Sequence, residues 1–559
     1  MILNGSQIIL ESLIEQGVDT VFGYPGGAVL NIYDALYDYS DRITHILTSH
    51  EQNACHAADG YARTTGRPGV VIATSGPGAT NLVTGIATAY MDSIPLIAIT
   101  GNVTTDLLGL DSFQEVDITG ITMPITKHNY IVKDVNDLAD IIREAFFIAT
   151  DGRKGPVLID IPKDITAAKC EFENKPILGH SFSVDSDELK KAADIINSAE
   201  RPFIYAGGGV VLSNASEQLK KFASLTDAPV ALSLMGQCAM DNTDPRYLGM
   251  LGMHGTKASS MALPECDVLV VLGSRFSDRV TCNAATFART VKKAKIIHIE
   301  IDPAEINKNV DVDIHVSGDV GFILGELDKL IIQQDHHEWM EKVSEWKKEY
   351  PLRQYSEDEE AVLPEDVIRT LSELTGGEAI ISTEVGQHQM WAAQFYDFKG
   401  KHNFATSGGL GTMGYGLGAA IGCKVGNPGK TVVNIAGDGS FYMNLTELST
   451  LAKYKLPVIE LVLNNSVLGM VRQWQRLFYN SHFSQTTLEK PTDFGLLAKA
   501  FGIEGLEISK KSDIRPVLEK ALSLNAPVLI NCIIDKDINV LPMVPAGASV
   551  ADPILEIKN

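Results

Sequence analysis

The 559-residue sequence is poor in cysteine and in positive charge. It has seven cysteines, an odd number, without a CxxC pair, which fits free thiols in a reducing compartment better than a disulfide framework. Lysine and arginine number 47 against 70 acidic residues, a net charge of −23. This balance argues against wholesale binding to nucleic acids or anionic membranes, and an anionic substrate would need a local cation.

We also expect neither a signal peptide nor an uninterrupted membrane span. An amphipathic helix pattern starts almost at once (Ile8, Ile9, Leu13) without a basic, apolar leader, so we expect a cytoplasmic protein. The longest uncharged stretch, residues 68–91, could cross a bilayer, but its centre at 74–81 is a polar Gly/Pro turn. That turn predicts a strand, a loop and a helix instead.

What the sequence does contain is one pattern three times: an apolar run, a glycine turn and a helix-like segment. The copies lie at residues 69–81, 202–213 and 431–444. Each suits the first βα unit of a doubly wound sheet, because parallel strands are joined by helical crossovers. The sequence therefore predicts an α/β protein of three doubly wound parallel-sheet domains.

Composition places the domain boundaries in two irregular segments, residues 168–185 and 333–364. The first interrupts periodicity with Pro, Gly and polar residues, and the second carries acidic clusters and predicts a linker with a solvated helix. Its adjacent histidines, His336 and His337, fit a surface pair better than a metal site. The predicted domains are residues 1–168, 186–333 and 364–559.

Two neighbouring strands of the third domain end in polar residues. The run 431–436 stops at Gly437-Asp438-Gly439, and the run 458–463 stops at Asn464-Asn465. A parallel pair would place Asp438 and Asn465 side by side at the carboxyl edge of the sheet. A carboxylate and an amide oxygen are hard ligands for Mg²⁺, and the glycines with the following helix N-terminus favour a diphosphate.

This arrangement resembles the thiamine diphosphate (ThDP) motif, GDG followed some two dozen residues later by NN. The resemblance implies Mg²⁺ ligands at Asp438, Asn465 and the carbonyl of Val467. It extends over almost the whole chain, which is similar to the catalytic subunits of the acetohydroxyacid synthase, or acetolactate synthase, family. That family implies a pyrimidine-binding first domain, a central FAD-binding domain and a third domain that binds the diphosphate and Mg²⁺.

The first domain would supply the acid that ThDP needs at its pyrimidine ring. Glu51 lies in Ser49-His50-Glu51-Gln52-Asn53, between a predicted strand and a helix. Taken alone, it is also typical of a helix N-terminal glutamate stabilised by the dipole. By resemblance to the HEQ segment of the family, Glu51 pairs with the pyrimidine N1′ across a subunit interface. The resemblance therefore implies a homodimer or a dimer of dimers, with a small regulatory subunit as a further candidate partner.

The glycine-rich loop, residues 407–414, resembles the family's SGGLGTMG segment. The resemblance implies that the carbonyl of Gly411 accepts a hydrogen bond from the 4′-amino group of ThDP. It also implies that the apolar, adaptable Met413 packs beneath the cofactor. The complete ThDP site implied by the resemblance is Glu51, Gly411, Met413, Gly437, Asp438, Gly439, Ser440, Asn465, Val467, Leu468, Gly469 and Met470.

The substrate would be a small anion, whose carboxylate suits a bidentate guanidinium. Arg275 follows the strand-like run 268–272 and matches the family's RFDDR segment, although Ser277 replaces its first Asp. The resemblance assigns Arg275 to the second 2-ketoacid; the alternative is a surface Arg275–Asp278 pair. Trp474 and Met470 match LGMVxQW and would wall the acceptor pocket, or else form a core stripe.

Further residues of the first domain match family segments that contact substrate or cofactor, namely Phe113, Gln114 and Lys163. Gly26 and Gly27 match a loop whose amides approach the reacting carbon, where small residues suit a donor within ~3 Å of a developing oxyanion. The catalytic set implied by the resemblance is Glu51, Gly27, Gln114 and Lys163.

The middle domain has a Gly207-Gly208-Gly209 turn that by itself is typical of a tight turn and is not a GxGxxG fingerprint. Together with other segments it resembles the family's FAD site. The implied contacts are Arg153, Gly207, Gly208, Gly209, Met253, His254, Gly273, Arg275, Asp278, Arg279, Val280, Glu300, Ile301 and Asp319. Since the reaction transfers no net electrons, the resemblance implies FAD in a structural role.

The resemblance implies decarboxylation of pyruvate on ThDP and ligation of the hydroxyethyl unit to pyruvate or 2-ketobutyrate, in branched-chain amino acid synthesis. Close alternatives are a FAD-free catabolic acetolactate synthase, a pyruvate oxidase-like enzyme and a 2-ketoacid decarboxylase. From another class, the chain could be a noncatalytic subunit that keeps the fold for assembly; Glu51, Asp438 and Asn465 argue against this.

Overall fold

Each of the three repeated units lies within a six-stranded sheet in which every pairing is parallel. Only residues 202–213 contain the first strand of their sheet, so the prediction of a first βα unit is wrong for residues 69–81 and 431–444, which earlier strands precede. The structure is a computed structural model that describes residues 1–177, 179–489 and 492–557. The predicted fold class, three parallel-sheet α/β domains, is confirmed.

The first domain contains strands β1 to β8 and helices α1 to α8. The strands are Ile2–Asn4, Thr20–Tyr24, Thr44–Leu47, Gly69–Ala73, Leu96–Asn102, His128–Ile131, Pro156–Pro162 and Lys169–Glu171. The helices are Gly5–Glu15, Leu30–Asp38, Glu51–Thr65, Pro77–Asn81, Val83–Asp92, Ile118–Thr122, Leu138–Thr150 and Lys163–Ala167. The sheet order is β3-β2-β4-β5-β7-β6, while β1 and β8 form a separate antiparallel pair.

The middle domain contains strands β9 to β14 and helices α9 to α14. The strands are Pro202–Ala206, Val230–Leu232, Tyr247–Met250, Val268–Leu272, Lys295–Glu300 and Ile314–Ser317. The helices are Ser186–Asn197, Gly208–Leu212, Ser216–Leu225, Lys257–Glu265, Asp278–Thr281 and Val320–Leu327. Its sheet order is β11-β10-β9-β12-β13-β14.

The segment predicted to be a linker contains one helix, α15 (His337–Glu349), and this helix packs on the middle domain. Trp339 and Val343 are buried, and the Trp339 indole donates to the Pro202 carbonyl at 2.9 Å. Both ring nitrogens of His336 lie 2.9 Å from carbonyl oxygens, those of Thr226 and Ala199. The predicted helix is present and most of its residues are exposed, but its apolar face is covered. His336 is half-buried, so the prediction of a surface position is wrong for this residue.

The third domain contains strands β15 to β20 and helices α16 to α23. The strands are Ile380–Thr383, Phe404–Ala405, Val432–Gly437, Val458–Asn464, Glu504–Ile508 and Val528–Ile533. The helices are Pro364–Thr375, Gln387–Phe395, Gly416–Gly426, Asp438–Phe441, Leu448–Tyr454, Gly469–Phe478, Phe494–Ala500 and Ile514–Ser523. Its sheet order is β16-β15-β17-β18-β20-β19.

Helices α3 and α18 join the first and third domains of the chain. Their backbones approach closely at two glycines: a Cβ added at Gly60 would overlap the Ala419 carbonyl, and one at Gly422 would overlap the Ala57 carbonyl. Glycine is needed here because any side chain would force the helices apart. This contact fixes how the two outer domains sit against each other.

The uncharged stretch 68–91 forms β4, a turn and helices α4 and α5, as predicted, with Gly76 at φ +60° in the turn. Among the described residues, no helix combines the length and apolarity required to cross a membrane. All seven cysteines are free; Cys170 and Cys282 are half-buried and the other five are buried.

Candidate functional site

The edge predicted to hold Mg²⁺ is formed by the neighbouring strands β17 and β18. Gly437 pairs with Leu463 in the parallel register, so Asp438 and Asn465 follow at the same end of the sheet. Asp438 is buried, and the Asn465 Oδ1 accepts from the Val467 amide at 3.2 Å. The three predicted ligands thus lie on two adjacent strand ends.

Glycines bring the elements of this edge close together. A Cβ at Gly439 would overlap the Leu468 side chain, and one at Gly469 would overlap the Gln387 side chain and lie 3.0 Å from Asn465 Nδ2. No cluster of three or more His, Cys, Asp or Glu able to hold a metal occurs in residues 1–177, 179–489 and 492–557. The site, with one carboxylate, is of the oxygen-donor type that leaves positions for phosphate and water.

Two buried side chains that the sequence analysis missed face the same edge, Gln387 and His388 at the start of α17. A Cβ at Gly437 would lie 2.7 Å from the His388 Nδ1. Within the described part of the chain, Gln387 Oε1 and His388 Nε2 have no hydrogen-bond partner. Burial lowers the pKa of His388 to about 3, so the ring is neutral. Buried polar atoms without partners are costly unless a ligand completes them.

Glu384 is a further residue beside this edge that the sequence did not predict. Its buried carboxylate accepts from the Gly414 amide and the Ser440 hydroxyl at 2.7 Å, from Asn444 Nδ2 at 2.5 Å and from the Leu417 amide at 3.2 Å. Burial raises the pKa of Glu384, while these donors oppose that shift. Glu384 therefore ties the glycine-rich loop to the GDG turn.

The glycine-rich loop lies beside this network. Gly411, at φ +71°, is exposed, and Met413 is half-buried. The positive φ of Gly411 is a backbone conformation that residues with a Cβ disfavour and glycine allows.

The first-domain patch, Gly27, Glu51 and Gln114, gathers around the turn between β4 and α4. Glu51 begins α3, and its Oε2 accepts from Asn81 Nδ2 at 2.9 Å. Thr74 Oγ1 accepts from the Ala28 amide at 3.2 Å, next to Gly27, and Gly76 packs on Gln114. Phe113 is 88% exposed, and Lys163 is half-buried at the start of α8.

A cavity of about 1480 Å³ lies between the middle and third domains, and residues 91–93 and 152–154 of the first domain also line it. It is lined by every residue predicted to contact FAD except Gly207, and also by Gly411, Met470 and Trp474. Gly207 lies beneath, donating its amide to the Leu272 carbonyl at 2.8 Å. Neither Gly27, Glu51, Phe113, Gln114 nor Lys163 lines this cavity, so a single chain does not bring the first-domain patch into it.

The polar lining of the cavity includes two buried titratable side chains, His254 and Glu300. His254 is buried, which lowers its pKa to about 4, and its Nδ1 has no hydrogen-bond partner. Burial also raises the pKa of Glu300. Such a lining, with apolar walls and a few convergent polar groups, is typical of a cofactor site.

Arg275 lies at the junction of the domains. Its Nη2 donates to the Met91 carbonyl at 2.6 Å, and burial lowers its pKa. The alternative of an Arg275–Asp278 pair is wrong, since Asp278 is exposed and its ion-pair partner is Arg279, at 4.0 Å. Met470 and Trp474 are half-buried in the cavity wall, which a core stripe would not be.

Three family models match the chain in the order of its domains. They describe the thiamine pyrophosphate enzyme N-terminal TPP binding domain at residues 3–121, its central domain at 189–327 and its C-terminal TPP binding domain at 384–532. The matches correspond to the three sheets.

Relatives are similar over the whole length. The acetolactate synthase isozyme 2 large subunit of Escherichia coli K12 is 45% identical over 548 residues, 98% of both chains. An acetolactate synthase of Mycobacterium bovis is 46% identical over 98% of this chain and 90% of its own length. The mitochondrial acetolactate synthase catalytic subunit of Saccharomyces cerevisiae is 44% identical over 98% of this chain and 83% of its own.

Proposed function

The chain belongs to the acetolactate synthase large subunits among the thiamine pyrophosphate enzymes, and we propose that it acts on pyruvate in a homodimer with shared active sites. It is a ThDP-dependent acetolactate synthase. The proposal concerns its metal, its flavin, its substrates and the role of each residue. The observation that carries it is the edge of β17 and β18, where Gln387 and His388 present partnerless polar atoms beside Asp438 and Asn465.

We assign Asp438, Asn465 and the Val467 carbonyl to Mg²⁺, and His388, Ser440 and Gly469 to the diphosphate. Gln387 Oε1 is an acceptor, because its Nε2 already donates to Gln473 and Ile538, and would accept from a water at the same edge. The donor set is the hard oxygen type that Mg²⁺ prefers. One ring nitrogen of His388 already donates to the Glu384 backbone, so the free Nε2 would donate to the diphosphate once the anion brings a second proton to the ring. Bound ThDP supplies the electron sink for loss of CO₂ from pyruvate and for the new carbon–carbon bond. Gly411 and Met413 would hold its pyrimidine ring.

Glu51 acts, in this proposal, on the cofactor held by the partner subunit. Asn81 orients its carboxyl group, which would exchange a proton with the pyrimidine N1′. Large apolar side chains are exposed near the first-domain patch and on the third domain, and these support a contact with a second copy of the chain. They are Leu110, Phe113 and Met123 on the first and Leu410, Met443 and Tyr479 on the third.

The acceptor ketoacid would meet Arg275, Met470 and Trp474 in the cavity. The guanidinium supplies the local cation that a chain of net charge −23 needs for an anionic substrate. Trp474 and Met470 form an apolar wall that favours the extra methylene of 2-ketobutyrate. The Gly27 amide, with Phe113, Gln114 and Lys163, would enclose the reacting carbon from the partner's first domain.

FAD would occupy the remaining length of the cavity in a structural role. Its predicted contacts line one continuous space, and His254 offers a neutral ring there. Since the reaction moves no net electrons, flavin absorbance should stay oxidised during turnover. We further propose a cytoplasmic enzyme of branched-chain amino acid synthesis that pairs with a small regulatory subunit, as the name of its large-subunit relatives implies.

The deciding experiment is product analysis with the purified chain, ThDP and Mg²⁺, without an electron acceptor. Pyruvate alone should give 2-acetolactate, and added 2-ketobutyrate should give 2-aceto-2-hydroxybutyrate. Acetaldehyde as the product would indicate a decarboxylase, and activity that requires an electron acceptor would indicate an oxidase. Protein without flavin absorbance but with full activity would match the FAD-free alternative.

The shared site is tested by mixed dimers. Glu51→Gln and Asp438→Asn chains, each inactive alone, should regain about half of the parent activity when two different affinity tags select the mixed dimer, since one of its two sites is then intact. Mixed dimers without activity would exclude the shared site.

A further inference from the structure

The C-terminal end of helix α5 in the first domain holds the glycine-rich loop of the third domain of the same chain. Asp92, the last residue of α5, is buried. Its Oδ2 accepts from the Gly408 amide at 3.0 Å and its Oδ1 from the Gly409 amide at 2.7 Å. A carboxylate that accepts two successive backbone amides fixes the course of that backbone.

The Asp92 carboxylate is itself held by a buried ion network. Arg63 donates to Asp92 Oδ2 at 2.8 Å and to Asp59 Oδ1 at 2.5 Å, and the three side chains are at most 4% exposed. Tyr415 donates its hydroxyl to Asp59 Oδ1 at 2.6 Å, just beyond the loop. The two carboxylates raise the pKa of Arg63, so the guanidinium stays charged. Buried charges persist only where such partners satisfy them.

A second contact lies one turn earlier on α5. The hydroxyl oxygens of Thr88 and Thr412 are 2.7 Å apart. Helix α5 therefore holds the loop at residues 408, 409 and 412, on both sides of Gly411. The space is tight, because a Cβ at Gly409 would lie 2.9 Å from both Asp92 Oδ1 and the Met91 carbonyl.

We propose that Asp92 is a positioning residue of the ThDP site and acts within its own chain, although it belongs to the domain whose Glu51 acts on the partner's site. This inference rests on the proposed shared site. Helix α3 then serves both active sites of the dimer: Glu51 at its first residue reaches the partner's cofactor. Asp59 and Arg63, two to three turns further on, secure the loop of its own chain.

The proposal predicts an unusual complementation pattern for Asp92→Asn. An amide cannot accept at both of its terminal atoms, so at least one of the two loop amides loses its acceptor, and the loop shifts. We expect kcat of the Asp92→Asn homodimer to fall on the order of 100-fold, the effect of a ~1 Å misplacement. The ThDP concentration needed for half-maximal activity should rise.

Mixed dimers carry the decisive test. In a dimer of Asp92→Asn and Glu51→Gln chains, both lesions fall in the same active site, so the other site is intact and about half of the parent activity returns. In a dimer of Asp92→Asn and Asp438→Asn chains, each site carries one lesion, and activity should remain about two hundredfold below the parent, since one site is inactive and the other is slowed about a hundredfold. Asp92→Asn would thus show the complementation pattern of Asp438→Asn, although Asp92 lies in the same domain as Glu51.

The reverse pattern, rescue with Asp438→Asn and none with Glu51→Gln, would overturn the proposal, as would equal activity of the two mixed dimers. The Glu51→Gln with Asp438→Asn dimer is the control for the shared site. If that control shows no rescue although mixed dimers form, the proposed dimer fails rather than the role of Asp92.

Thr88→Val provides a second test if the Asp92→Asn chain does not assemble, because valine has nearly the shape of threonine and should allow folding. Loss of its single hydrogen bond to Thr412 should lower kcat about fivefold. Its mixed dimer with Glu51→Gln should reach about half of the parent activity and that with Asp438→Asn about one tenth. Indistinguishable activities of these two dimers would contradict the proposal.

Discussion

The guanidinium carbon of Arg279 lies 5.7 Å from the centroid of the Trp474 indole ring. Arg279 belongs to the middle domain and Trp474 to helix α21 of the third, so this cation–π contact crosses the cavity wall between the two domains. The pair places the indole at the mouth of the proposed acceptor pocket.

Trp474→Leu should therefore reduce the preference for 2-ketobutyrate over pyruvate as acceptor, by about tenfold, because the wall that rewards an extra methylene is lost. The measurement is the ratio of the two products in competition. Trp346→Leu is a matched control, since Trp346 is also half-buried beside a cation, Lys342 at 4.9 Å, but does not line the cavity. An unchanged ratio in Trp474→Leu would remove it from the pocket.

Glu384→Gln should weaken ThDP binding and lower the unfolding temperature. The amide can accept at only one of its atoms, so at least two of the four buried donors to Glu384 lose a partner, at about 1–3 kcal/mol each. ThDP titration by activity and thermal unfolding without cofactor measure the two effects. The exposed Glu359→Gln provides the control and should change neither quantity.

Much of the fold follows from local patterns. The three glycine turns predict three parallel sheets, and the two polar strand ends predict the adjacency of β17 and β18, which the structure confirms. The packing of α15 could also have been predicted from the sequence, because Trp339, Val343 and Trp346 recur at helical spacing. The many charged residues around them favoured a solvated helix instead.

The roles of Glu384 and Asp92 could not be predicted from the sequence in this way. Asp92 and Gly409 are 317 residues apart, and no local periodicity links a helix C-terminus in one domain to a loop in another. Gln387 and His388 could have been found in part from the sequence, because they follow the short apolar run that forms β15, and polar residues after a strand indicate a strand-end site.

A pH effect on stability is expected from Asp160 in β7. The carboxyl accepts from Thr100 Oγ1 at 2.6 Å and Asn102 Nδ2 at 2.5 Å, and burial raises its pKa to about 7. Between about pH 4 and 7 the folded chain binds more protons than the unfolded chain, so this group makes the free energy of unfolding fall as pH rises.

Asp160→Asn removes that dependence. The apparent unfolding temperature of the variant minus that of the parent should be larger at pH 8 than at pH 5. The exposed Asp106→Asn should show no such change. A difference that shrinks with rising pH would contradict the assignment.

Gly422→Ala should destabilise the contact between α3 and α18. The added methyl group would overlap the Ala57 carbonyl, and relief by helix movement should cost about 1–3 kcal/mol. Gly429→Ala, where a Cβ meets no atom within 4 Å, is the matched control. Thermal unfolding midpoints compare the two, and equal midpoints would show that the helices can separate freely.

Gly27→Ala should separate folding from catalysis. A Cβ at Gly27 meets no atom within 4 Å in the chain, so the unfolding midpoint should stay that of the parent. If its amide approaches the reacting carbon in the partner's site, kcat/KM for pyruvate should fall, on the order of tenfold. Gly179→Ala, equally free of contacts, should leave kcat/KM unchanged, and full activity of Gly27→Ala would exclude the loop from the site.

Chemical labelling of the seven unpaired cysteines can report the unfolding of the chain. Five are buried, and the pKa values of the half-buried Cys170 and Cys282 are raised, that of Cys282 to about 11. Because thiolates are the reactive species, thiol-directed dyes should label the native protein slowly and at two positions at most. The remaining five positions would become reactive only as the cores open, and mass spectrometry of the labelled peptides would then give the order in which the three domains come apart.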